Sequence, residues 1–297
     1  MPNIDPARLR TVHLITQIDA FKALYFDRDG MAMRPNLVFV DTNGSIVFET
    51  NEIGLKGDAL DPARRLAVIW GDSVVFGSGR GWAHLLDPLA PGYQFLNGGL
   101  NGDPYGNILR RASGMNRRLP VALNLLMLGW HPLVAMPAGR GPPRWDRLTQ
   151  GSDALPRVEL LRNGNDGLRA ALSSFLEATA NTVVLTMPTA LNPGIADRDL
   201  SDLLVRTDDA TGFEFLGDIP YRVEYQRLAF DHIVERNAIT REVCARHGIR
   251  VVDLFGAFNT EDAADFREHF RDIIHLRPRS YPTLAQIIHD QIKDLLE

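Results

Sequence analysis

The sequence predicts a three-layer α/β domain built on a largely parallel, five-stranded sheet. Five short apolar runs rich in β-branched residues recur along the chain, at 66–70, 93–96, 121–128, 181–187 and 248–254, with helical patterns between most of them. They lack the apolar/polar alternation of a sheet wetted on one side, so they suit strands covered on both faces. Helices alternating with such strands form the two outer layers.

In chain order, residues 1–30 carry Leu9, Val12, Leu14, Ile15, Ile18, Phe21 and Leu24 at roughly helical spacing and read as a helix. The run LVFVDTNGSIVFET at 37–50 gives two β-rich stretches around Asn43-Gly44, a pair that supplies the positive φ of tight hairpin turns. Residues 1–63 are therefore expected as a helix-and-hairpin extension packed on a main domain at 64–297. The first central strand, 66–70, stops at Gly71-Asp72-Ser73. Beyond it lie Gly77, Gly79 and Gly81, whose run has neither G-x-G-x-x-G spacing nor a P-loop lysine and reads as a turn followed by a helix ending before Pro88.

The second strand runs into the Gly- and Asn-rich loop 97–103, then a helix at 104–118. The third ends at Gly129-Trp130-His131-Pro132, before a Pro/Gly/Arg-rich loop at 137–145 and a helix at 166–178. The fourth is stopped by Pro188, and 190–220 is a long loop of the kind that serves as a lid or binding loop. A long amphipathic helix at 221–247, the fifth strand and a closing helix at 281–296 complete the chain.

Composition narrows the function classes. The 297 residues are 45% hydrophobic and 23% charged, the balance of an ordinary globular protein. A net charge of −5 with no basic run argues against nucleic-acid partners. The single Cys244 excludes a disulfide framework or a cysteine-rich zinc site and reads as a small helix residue. His13, His84, His232, His247, His269 and His289 show no metal-ligand spacing, so no metal or cofactor is expected. No membrane-length apolar window and no signal-type N-terminus are found, so a cytoplasmic protein without a membrane span is expected.

Open α/β sheets build their sites beyond the carboxyl ends of the strands, where the strand order reverses. Ser73, Gly102, His131 and the loop of Asp272 and His275 all follow strand ends or the last connection, and so fall on one edge. A serine hydroxyl becomes a nucleophile only beside a base, with a group that orients the base and donors for the oxyanion. Asp272, three residues before His275, can turn back in one loop and accept the ring N–H, which leaves the other nitrogen for Ser73. Backbone N–H groups of the 97–103 loop suit the oxyanion. Asp72, Trp130 and Tyr105 border this edge as candidate substrate contacts, with packing an equal alternative for the aromatics. Asp103 either caps the following helix or touches substrate.

Gly71-Asp72-Ser73, Asn97 through Gly102-Asp103, Gly129-Trp130-His131 and Asp272-Ile273-Ile274-His275-Leu276 resemble, in order and spacing, the four sequence blocks of the GDSL/SGNH hydrolases. The resemblance runs from about residue 64 to the C-terminus, and the segment before it is similar to the N-terminal extension of some bacterial members. It implies a flavodoxin-like α/β/α sandwich and ester hydrolysis through an acyl-serine. In it Ser73 is the nucleophile, His275 the base and Asp272 its orienting partner, with Ser73 and Gly102 N–H groups as oxyanion donors. The absence of any G-x-S-x-G fits this family and not the α/β-hydrolases.

The third block departs from the family's Gly-x-Asn-Asp, because His131 stands where the donor Asn is expected. An imidazole N–H can replace the amide. The expected substrate is a small-molecule or glycan ester, with the acyl group, the ester and the oligomeric state left open. An O-acyltransferase using the same residues, or a ligand-binding protein with a weakened site, are the alternatives.

Overall fold

The computed structural model describes residues 9–11, 32–40, 46–129, 165–192, 223–259 and 263–297. Among the described residues, eight strands fall into two sheets. The small one joins β1 (Leu9–Thr11), β2 (Val38–Val40) and β3 (Ile46–Glu49) in that order. The large one contains β4 (Arg65–Trp70), β5 (Tyr93–Asn97), β6 (Val121–Met127), β7 (Thr182–Leu185) and β8 (Val251–Val252). Its order is β5-β4-β6-β7-β8 and every pairing is parallel. This is the flavodoxin-like order, with the chain leaving β4 to one side for β5 and then crossing to the other for β6. The end of β4 is therefore the switch point.

The connections are α1 (Ser73–Phe76), a 3₁₀ turn at Ala83–Leu86, α2 (Tyr105–Arg118), α3 (Leu168–Ala178) and α4 (Val223–Arg246). After β8 come α5 (Leu254–Phe258), α6 (Ala263–His269) and α7 (Tyr281–Ile292). Alternation along each strand splits the core in two. Ala67, Ile69, Phe95, Leu125 and Val183 pack with Trp82, Leu254, Phe266 and Ile288 on one face. Val68, Trp70, Leu96, Leu126 and Val184 pack with Ile108, Leu172 and Val243 on the other. Each such aliphatic side chain contributes roughly 1.5–3 kcal/mol by leaving water, so a sheet covered on both faces needs the continuous apolar runs seen in the sequence. Asn124, one of the buried polar residues of the sheet, is satisfied by Trp70 Nε1 at 2.9 Å and by Asn116. Cys244 is buried among the apolar residues, and burial pushes its thiol up to about 12, which fits a packing residue.

The two strands of the expected hairpin are present, with β2 and β3 antiparallel and Phe39 stacked on Phe48 at 4.1 Å, and the expected turn at Asn43-Gly44 lies outside the described residues. The N-terminal helix expectation is corrected at Leu9–Thr11, which is a strand running parallel to β2. The rest of that expectation, residues 1–8 and 12–30, lies outside the described residues. The small sheet packs Met33, Leu37, Phe39 and Phe48 onto Phe76 and Leu100 of the main domain. Its link to β4 pairs Lys56 with Asn97, each N–H donating to the other's carbonyl at 3.0 and 2.9 Å. The segment between β3 and β4 thus joins the large sheet at the carboxyl end of β5. Among the described residues, no helix is long and apolar enough to cross a membrane.

Candidate active site

Ser73 opens α1 directly beyond the switch point. A single helical turn is costly to nucleate because it fixes several residues for one or two bonds, so outside partners must hold it. Asp72 caps its start by accepting the Val74 N–H at 3.0 Å. Its carbonyls are each taken: Ser73 by the Gly77 N–H, Val74 by Trp82 Nε1, Val75 by Asn97 Nδ2, and Phe76 by both Asn97 Nδ2 and Lys56 Nζ. The Ser73 turn is a cradled element.

The triad residues expected from the sequence come together. His275 Nε2 lies 2.7 Å from Ser73 Oγ, and His275 Nδ1 lies 2.7 Å from Asp272 Oδ2 and 2.9 Å from Oδ1. With a carboxylate on Nδ1, that nitrogen carries the ring proton and Nε2 is left to accept from the serine hydroxyl. Asp272 Oδ1 also accepts the N–H groups of Ile274 and His275, at 3.0 and 2.8 Å, so the carboxylate builds the turn that brings its histidine back. The loop is closed by an antiparallel bridge between Phe270 and Leu276 and anchored through the Ile273 carbonyl, which accepts from Thr189 Oγ1 and the Ala190 N–H.

Burial pushes the Asp272 carboxyl upward. The ring and N–H of His275, Arg271 and the Ile274 N–H outweigh it and hold the group below the usual carboxylate value. Asp272 is ionised at neutral pH. Ser73, His275 and Asp272 are 5%, 3% and 8% exposed, which keeps the charge relations in a weakly screened environment.

The second block wraps against the first. The Gly98 N–H donates to the Ile69 carbonyl at 2.7 Å and the Leu100 N–H to that of Gly71 at 3.0 Å. Gly102 then takes a φ of 68° inside the turn closed by the Asp103 N–H on the Leu100 carbonyl. Among the described residues, neither the Ser73 nor the Gly102 N–H is hydrogen-bonded to a protein acceptor.

Asp103 neither caps α2 nor faces outward; it is buried and paired with Arg111 Nη1 at 2.8 Å, while Arg111 Nη2 also donates to the Gly98 carbonyl. Gly99 lies so close to α1 that a Cβ there would be 2.3 Å from the Phe76 nitrogen. Gly99→Ala is therefore expected to lower stability by roughly 1–3 kcal/mol, as overpacked cores do. Denaturant melts check this.

Two of the expected substrate contacts are corrected. Asp72 is fully buried, with its carboxylate on the Val74 N–H and within 2.3 Å of where a Gly129 Cβ would be. Tyr105 is fully buried as well, donating to the Asp166 carbonyl at 2.5 Å with the Arg236 guanidinium 5.2 Å from its ring. Neither offers a surface for a sugar ring. Trp130 and His131 lie outside the described residues. Gly129, the last residue before them, is held through its carbonyl by Arg236 Nη1 at 2.7 Å. Among the described residues, no group of three or more His, Cys, Asp or Glu could hold a metal ion.

The sequence left the supporting residues Lys56, Asn97, Arg111 and Arg236 unassigned. Of these only Asn97 carried a signal, by standing at a strand end in front of a Gly-Gly pair.

No family model and no curated protein matches the chain by sequence. Among solved structures it is similar to a lipase/acylhydrolase from Enterococcus faecalis, at 17% identity over 77% of this chain and 96% of that one, with a TM-score of 0.46. It is also similar to a member of the lipolytic protein G-D-S-L family from Veillonella parvula, at 16% identity over 77% and 98% of the two chains, with a TM-score of 0.46. A GDSL-like lipase from Bacteroides thetaiotaomicron matches at 13% identity over 80% and 92%, with a TM-score of 0.47. Likenesses at these levels carry no chemistry across to this chain.

Proposed function

We propose that the protein is a serine esterase or acylhydrolase that cleaves a carboxylic ester of a small molecule or glycan through an acyl-serine. The observation that carries this reading is the continuous hydrogen-bonded chain from Asp272 through His275 to Ser73. The resemblance of the four sequence blocks to GDSL/SGNH hydrolases supports it. Residues 64–297 hold the chemistry, and 1–63 support it.

In the proposed reaction, Ser73 Oγ attacks the ester carbonyl while His275 Nε2 takes its proton. The carbonyl oxygen becomes an oxyanion that accepts from the Ser73 and Gly102 N–H groups and from the His131 ring. Collapse breaks the C–O bond, and the leaving alcohol takes the proton from His275. Water then attacks the acyl-serine, giving its proton to His275, and the carboxylic acid leaves as the proton returns to Ser73. Asp272 holds the ring tautomer throughout and stabilises the transient imidazolium.

Hydrolysis of short-chain p-nitrophenyl esters tests the reaction and the part played by His131. The wild type is expected to turn over. His131→Ala should lose about 100-fold or more in kcat, the cost of an oxyanion donor, while His131→Asn, which restores an amide donor, should retain activity. Unchanged turnover in His131→Ala would remove His131 from the oxyanion hole and leave the two backbone donors.

A further inference from the structure

Lys56 belongs to the N-terminal extension, on the link between β3 and β4, and is 1% exposed. Its Nζ donates to the Phe76 carbonyl at 2.7 Å and lies 3.6 Å from the centroid of the Phe76 ring and 5.0 Å from that of Phe48. Its main chain pairs with Asn97, whose amide donates to the Val75 and Phe76 carbonyls and whose Oδ1 accepts the Gly99 N–H. One residue therefore touches both segments that carry the proposed oxyanion donors, the Ser73 turn directly and the Gly102 loop through Asn97.

We propose that Lys56 is a positioning residue for the nucleophile: by holding the carbonyl end of the Ser73 turn it sets the direction of the Ser73 hydroxyl and backbone N–H. The proposal rests on the acyl-serine reading given above. A cation at the carbonyl end of a helical turn complements the exposed C=O groups, and the aromatic faces add cation–π attraction. Phe76 anchors the arrangement twice, by its carbonyl under Nζ and by its ring, which meets Phe48 edge-on at 5.1 Å.

The charge is expensive to keep there. Lys56 is surrounded by the Phe48 and Phe76 rings, the Phe76 carbonyl and the Asn97 amide, and burial alone pushes its pKa well below the usual lysine value. Among the described residues no carboxylate pairs with it. A methionine of similar length would fill the space without that desolvation penalty. A role in the fold alone would not call for an ammonium.

The sign of the pH dependence follows. The unfolded chain holds the Lys56 proton more tightly, so stability rises with pH from the lowered folded value up to about 10.4. Over the same window the folded protein loses the ammonium and with it the grip on Phe76. Stability and activity should therefore move in opposite directions over this window.

The experiment compares wild type, Lys56→Met and Lys56→Arg by p-nitrophenyl acetate kinetics, by the rate of Ser73 phosphonylation with a fluorophosphonate, and by thermal melts across pH. Lys56→Met is expected to melt no lower than wild type at neutral pH. Its kcat and phosphonylation rate should fall about 10- to 100-fold, the scale of a small misplacement of a reacting group, with KM nearly unchanged and the alkaline limb absent. Lys56→Arg, charged at every working pH, should recover most of the rate and hold it to higher pH. Lys56→Met at the wild-type rate, or slowed only in step with a lower melting temperature, overturns the proposal while leaving the acyl-serine reading intact. Failure to label wild-type Ser73 overturns that reading, and this proposal with it.

Discussion

Ser73→Ala is expected to lower kcat for ester cleavage by about 10⁶-fold, with His275→Ala close to it and the double variant no slower than either. The equality follows from geometry. Ser73 Oγ and His275 Nε2 share one hydrogen bond of 2.7 Å, so the hydroxyl without the base, or the base without the hydroxyl, leaves only the binding and oxyanion contributions. The fold should not change with them. Alanine is a better helix former than serine, and α1 keeps its Asp72 cap and all four carbonyl partners. Melting curves that overlay the wild type, beside rates near background, are the expected pair of results. Rates that multiply in the double variant would mean that the two residues act separately.

Asp272→Asn is the second large effect, with kcat at neutral pH expected to drop about 10⁴-fold. An amide is nearly isosteric, and its oxygen can still accept the Ile274 and His275 N–H groups that shape the loop. Its nitrogen, however, presents hydrogens to His275 Nδ1. That forces the ring proton onto Nε2, the atom that must accept from Ser73. The variant also changes the acid response. The Asp272 carboxyl is held below its usual value, so its contribution to stability is fully present above the unfolded pKa of about 3.9 and is lost as pH falls through the folded value. In Asp272→Asn this part of the acid sensitivity is absent. Neutral-pH kinetics and acid melts of the two proteins, taken together, separate a tautomer defect from a collapsed loop.

The sheet was legible because its strands are buried on both faces, which leaves unbroken apolar runs such as LAVIW at 66–70. The meeting of Ser73, His275 and Asp272 was legible for a different reason: Gly71-Asp72-Ser73 ends a strand, and Asp272 and His275 are local in sequence, so each half of the constellation carries its own signal. Leu9–Thr11 was misread because Leu9 falls into a helical spacing with Val12 and the apolar residues that follow, while the strand's partner, β2, lies beyond residue 37. Asp72 and Tyr105 stand beside the site in sequence but turn inward, and only packing reveals that. Lys56, Arg111 and Arg236 were silent because a cation in a sequence reads as solvated. What makes them structural is a carbonyl or carboxylate brought to them by the fold, Phe76 for Lys56, Asp103 and Gly98 for Arg111, and Gly129 for Arg236.

Whether Ser73 is an activated nucleophile is tested most directly by treating the 297-residue protein with a fluorophosphonate and mapping the adduct by peptide mass spectrometry. The expected result is one adduct per chain, on Ser73, formed rapidly in the wild type and nearly abolished in His275→Ala. No adduct, or an adduct on another serine with Ser73 untouched, would contradict it.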